Sequence, residues 1–364
     1  MWSPFGCSCQ QTCRSYISRF AGCAIPTTRI RYNPSGLKYS SHPIAPPLYL
    51  AQVEVLVIKF HRIGWPSNLL DHLSCLKALS WPETRRLNFV NATIQHNFHL
   101  RLTHLKVELH WADLYSRQRP LVFHPLQFLD FTVLHGTHCN AQPGHLDLAT
   151  WAEFPVLHSL HLAVSVTHAM IMADTGTETQ RKWDEVISLL KGVGPTLTGL
   201  TLDLPNEWRA WFRPGVWLSL PSLLEFGYKQ YLPTTNHPSP PEDMHPLNIL
   251  FRLDEYAPSP AETSSDQTLF DDFLETCRRW RTRRITMLQT WKEAERVLLS
   301  PINEWDCRRL PKRIDFYERV GALGVEICDR DGVHVTEAPG ARFLEVLKNY
   351  EVKLLGFRPR VWVR

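Results

Sequence analysis

Apolar residues recur along this chain in one short unit: a leucine, two residues, a second apolar residue, one residue, a third. The plainest copy is Pro155–Leu162, PVLHSLHL, with Leu157, Leu160 and Leu162 at those positions. Val53–Phe60, VEVLVIKF, is a strand-length run rich in β-branched residues. Further copies lie at Leu76–Trp81, Leu102–Leu109, Leu126–Phe131, Leu197–Leu202, Leu223–Tyr228 and, less regularly, Leu247–Leu250. Their central residues, Leu56, Leu79, Leu105, Leu129, Leu160, Leu200, Phe226 and Leu250, are 23 to 40 residues apart. A single unit cannot bury its own apolar side chains, so its neighbours must cover them and the units must stack. The pattern predicts an α/β solenoid: a curved parallel sheet with helices and loops on its outer side.

Strand alternation then sorts the remaining positions. The leucines, valines and phenylalanines point inward. His104, Lys106, Glu108, Asp130, His161, Asp203, Glu225 and Lys229 lie between them and are predicted to line the exposed, concave face. His158 and His161 are three apart, which at strand spacing sends them to opposite faces and argues against a paired ligand. Proline precedes several units, at Pro125, Pro155, Pro195, Pro221 and Pro246, where it is expected to fix an extended approach to the strand.

Between the strands the period changes. Trp183, Val186, Ile187 and Leu190 fall at helical spacing within Thr179–Lys191, and Gly192 and Gly194 follow. Residues 233–268 are rich in Pro, Ser and Thr and read as surface loops around a strand at Leu247–Leu253. Leu269–Arg284 reads as a helix with Phe270, Phe273, Leu274, Cys277 and Trp280 on one face. A strand at Ile285–Gln289, a helix at Pro311–Leu323, a strand at Val325–Cys328 and a helix near Phe343–Tyr350 complete the pattern. The expected organisation is an irregular basic segment at 1–50, the solenoid at 51–290 and a helix–strand cap at 291–364.

Composition changes this picture little. The chain has 364 residues, 44% hydrophobic, with 13 Trp, enough for a large core. A net charge of +4 is too weak to argue for nucleic acid, and no long apolar run argues for a membrane span. Arg278–Arg284, with Arg308, Arg309, Lys312 and Arg313, could meet phosphate, but a solvated helix face explains it more simply. Nine scattered cysteines do not resemble a secreted disulfide framework, so a reducing, cytoplasmic or nuclear setting is expected. The N-terminal segment has no acidic residue before Glu54, but its prolines interrupt any amphipathic helix of a transit peptide.

The repeats from about Val53 to Gln289 resemble degenerate leucine-rich repeats, whose period is about 20–29 residues. Arg313–Gly332, RIDFYERVGALGVEICDRDG, places a helix, a glycine, a strand and Asp-Gly in succession. That finish is similar to the C-terminal end of the fungal F-box/leucine-rich-repeat-like protein family. The resemblance implies substrate recognition within a ubiquitin ligase, with a ligase adaptor as partner. The F-box is not found: residues 1–50 lack its Leu-Pro start and its three-helix apolar pattern.

No motif for a nucleophile elbow, a zinc protease, a phosphate-binding loop or a dinucleotide fold is present. The competing chemical reading is a metal-dependent enzyme or zinc protein built on His135, His138, Cys139, His145 and Asp147, all of ligand type. A polar loop between repeats explains the same residues without a metal. Cys7, Cys9, Cys13 and Cys23 lack the paired knuckle spacing of a structural zinc site. The sequence therefore predicts a non-enzymatic, cofactor-free scaffold that binds another protein.

Overall fold

The computed structural model describes residues 29–32, 51–58, 71–81, 89–110, 121–135, 152–166, 177–204, 215–228, 235, 237–251, 266–299 and 314–356. The fold is α/β, built on parallel strands and helices. It divides into two compact units, one of Ala24–Leu223 with Pro240–His245, the other chiefly of Leu224–Ser239 and Pro246–Arg364.

The first unit carries strands β1 (Arg29–Tyr32), β2 (Val55–Ile58), β3 (Ala78–Trp81), β4 (His104–His110), β5 (Leu121–Val122), β6 (Phe128–His135), β7 (Ala152–Glu153), β8 (Ser159–Val166) and β9 (Gly199–Asp203). Its sheet runs β1-β2-β3-β4-β6-β8-β9, every described neighbour pair parallel. Strands of this sheet therefore follow chain order. β5 and β7 pair separately into a two-stranded ribbon, where Phe123 and Phe154 stack with centroids 5.5 Å apart. Helices α1 (Phe89–Gln95), α2 (Thr177–Val193) and α3 (Gly215–Leu218) lie on return segments. β1 and the β5–β7 ribbon are additions to the expected pattern; β1 falls in a segment read from sequence as irregular.

Register explains why leucine is so regular. Leu79, Leu105, Leu129, Leu160 and Leu200 occupy one cross-strand row, and Trp81, Val107, Phe131, Leu162 and Leu202 the next on the same face. All ten are buried. Just before each strand stands another fully buried leucine: Leu76, Leu102, Leu126, Leu157, Leu197 and Leu223. Fully burying one leucine is worth about 1.5–3 kcal/mol. In five of these places the leucine amide closes a turn on the carbonyl of a buried apolar residue or glycine three positions earlier: Leu73, Phe123, Phe154, Gly194 and Leu220.

That turn gives the proline before several strands its geometry. Pro155, Pro195 and Pro221 each sit at its second position, where a fixed φ matches the turn geometry. They start a tight turn at the entry to the strand.

A backbone ladder joins successive strands at their beginnings. The Glu54 carbonyl accepts the amides of Lys77 and Ala78, at 2.8 and 2.9 Å. Lys77 does the same for Thr103 and His104, Thr103 for Gln127 and Phe128, Gln127 for His158 and Ser159, and His158 for Thr198 and Gly199. Side chains repeat the theme: Lys77 Nζ donates to Glu54, and the Thr103 and Thr198 hydroxyls donate to the Lys77 and His158 carbonyls.

In α2, Trp183, Val186, Leu189, Leu190 and Val193 are buried, one helical stripe against the core. Gly194 follows it. A Cβ there would overlap the Ser219 carbonyl, so only glycine permits that backbone approach.

The second unit has β10 (Glu225–Tyr228), β11 (Asn248–Phe251), β12 (Arg284–Met287) and β13 (Glu326–Cys328), parallel and in that order. Its helices are α4 (Asp266–Arg279), α5 (Trp291–Leu298), α6 (Ile314–Ala322) and α7 (Ala338–Gly356). Their buried faces meet through aromatic rings: Phe270 and Phe273 contact Phe316, and Trp291 and Tyr317 contact Phe343. Thr290 and Glu293 cap α5 reciprocally, each side chain bonding the other's backbone amide. Asp329 is 3% exposed. Its carboxylate accepts the amides of Trp291, Asp331 and Val333 at 3.1, 3.0 and 2.9 Å. It thereby ties the Asp-Gly turn after β13 to the start of α5.

Candidate functional site

Of the eight face residues singled out by alternation, six belong to the first unit. Lys106, Asp130 and His161 fall opposite one another on β4, β6 and β8, and the row continues to Ser80 on β3 and Thr201 on β9. Each stands between two apolar residues that face the core. The common offset was the signal that could have added Ser80 and Thr201 to the list.

The three central residues are bonded. Lys106 Nζ donates to Asp130 Oδ2 at 2.5 Å, and His161 Nδ1 lies 2.7 Å from Asp130 Oδ1. The carboxylate is thus the shared acceptor of an ammonium and an imidazole, each on one of its oxygens. Side-chain exposure is 24% for Lys106 and 11% for Asp130 and His161. At this depth charge-assisted bonds are less screened than at a fully exposed surface, so the cluster holds its geometry.

The next row toward the strand starts holds Ala78, His104, Phe128, Ser159 and Gly199. His104 is buried, and its ring stacks on Phe128. The Thr103 hydroxyl lies 2.8 Å from His104 Nδ1. Burial pushes the imidazole pKa down to about 4, so His104 is neutral at pH 7. The row on the other side has Glu108 and Asp203 at its ends, with Thr132 and Ala163 between.

The face is therefore more enclosed than alternation implies. His104 and Asp130 are buried, and Lys106, Glu108, His161 and Asp203 are intermediate. The physical reason on view is lateral packing: an aromatic ring covers His104, and Lys106 and His161 flank Asp130. His158, outside the strand, is exposed, with Nδ1 3.2 Å from the Thr196 carbonyl.

Glu225 begins β10 in the second unit. Burial raises its carboxyl pKa, while the Arg284 guanidinium pulls it back. Arg284 donates from Nε and Nη2 to Glu326 Oε2, at 3.0 and 2.9 Å. Lys229 lies outside the described residues. So do His138, Cys139, His145 and Asp147, and of His135 only the backbone at the end of β6 is described.

In the described part of the basic cluster Arg278, Arg281, Arg283 and Arg284 are exposed, and Arg279 is tied to the chain. Arg279 donates to the Thr235 and His237 carbonyls and the Ser239 hydroxyl, and Arg278 pairs with Glu275. Among the described residues, no group of three or more His, Cys, Asp or Glu is placed to hold a metal ion. Among the described helices, none is long and apolar enough to cross a membrane. Cys277 and Cys328 are buried, and burial pushes the Cys277 thiol up to about 12, which disfavours the nucleophilic thiolate.

The site thus offers directed hydrogen bonds across adjacent parallel strands. No family model matches the chain, and no curated protein or solved structure is significantly similar to it.

Proposed function

We propose that this chain is a leucine-rich-repeat-like solenoid that binds another protein and performs no catalysis itself. The observation that carries this reading is the in-register row of Lys106, Asp130 and His161 across three adjacent parallel strands. Parallel repeats place one side chain from each unit at a fixed spacing, so a partner can be read along several strands at once. Donors flank a shared acceptor there, and the bonds between them hold each side chain in place before any partner arrives, which lowers the ordering cost of association.

The resemblance of Arg313–Gly332 to F-box/leucine-rich-repeat-like proteins narrows the proposal to substrate recognition for ubiquitin transfer, in the cytoplasm or nucleus. The helix, strand and turn of that stretch are α6, β13 and the Asp331-Gly332 turn, where Gly332 has φ +82°.

The test is proximity labelling with the whole chain, comparing the native sequence with Glu108→Lys and Asp203→Lys. Loss of a reproducible partner set in either variant, with unchanged thermal unfolding, supports the reading. The same partner set in both overturns the assignment to this face. Labelling that recovers no ubiquitin-ligase adaptor removes the narrower form.

A further inference from the structure

We draw no further inference here: the strongest candidate, the exposed apolar ridge of Leu100, Pro155, Val156, Pro195 and Pro221 at the turns leading into the strands, carries nothing because nothing in the structure shows what covers it.

Discussion

The imidazole of His104 lies almost flat on the ring of Phe128, with centroids 4.4 Å apart and planes 13° from parallel. The two residues face each other across β4 and β6. Burial holds the imidazole neutral, with its pKa down from 6.5 to about 4. Between those values the unfolded chain binds the proton more readily, so acid favours unfolding. Stability should fall as pH drops from about 6.5 towards 4, by on the order of 3 kcal/mol in total. Chemical denaturation at pH 7 and pH 4.5 would measure it. His104→Phe keeps a ring on Phe128 and should remove this part of the acid sensitivity; an unchanged difference between the two pH values would refute the assignment.

Asp130 serves two donors, so its loss should cost more than the loss of either. Asp130→Ala leaves an ammonium and an imidazole without their acceptor, at a cost of about 2 kcal/mol. Lys106→Ala should cost less, because that side chain is the most exposed of the three. A double-mutant cycle between the two should give a coupling of about 0.5–3 kcal/mol by urea titration. Additive effects would mean that the bond contributes nothing to stability. Reversing the charge at Asp130 is for the same reason a poor binding test, since it would disturb the fold.

Two glycines two residues apart should respond with opposite signs. Gly192 lies within α2, and a Cβ there meets nothing within 4 Å. Gly192→Ala should stabilise by about 0.5–1 kcal/mol through helix propensity and a less mobile unfolded chain. Gly194→Ala must displace the Ser219 carbonyl and should lower the melting temperature. Thermal unfolding of the pair checks both.

Asp329 is the residue whose loss should loosen the C-terminal helices. Asp329→Ala removes a buried carboxylate that accepts three backbone amides, at a cost of about 1–3 kcal/mol. Hydrogen exchange should show faster amide exchange at Trp291, Asp331 and Val333 than in the native chain.

Much of this architecture was legible because leucine spacing encodes it directly. Leu157, Leu160 and Leu162 were readable as core, and Lys106, Asp130 and His161 as one face, from alternation alone. Trp183, Val186 and Leu190 announced α2 in the same way. What was not legible depends on neighbours distant in sequence. The burial of His104 needs Phe128 on the adjacent strand, and strand pairing cannot be read from either segment separately. The role of Asp329 was not legible, because its bond to Trp291 spans 38 residues. Ser80 and Thr201 went unnoticed because small hydroxyl residues carry no charge signal, although their offset from the leucines matches that of Lys106.

The paired amides received by each strand-start carbonyl have a consequence for how such a chain can vary. From Lys77 to Thr103 the step is 26 residues, and from His158 to Thr198 it is 40, yet the same two-amide contact closes both. Alignment between strands is therefore set at a single peptide group and is indifferent to the length of the excursion before it. Residues can be gained or lost in those excursions without moving any side chain to the opposite face. The chain can diversify the segments between its strands while the strands keep their phase.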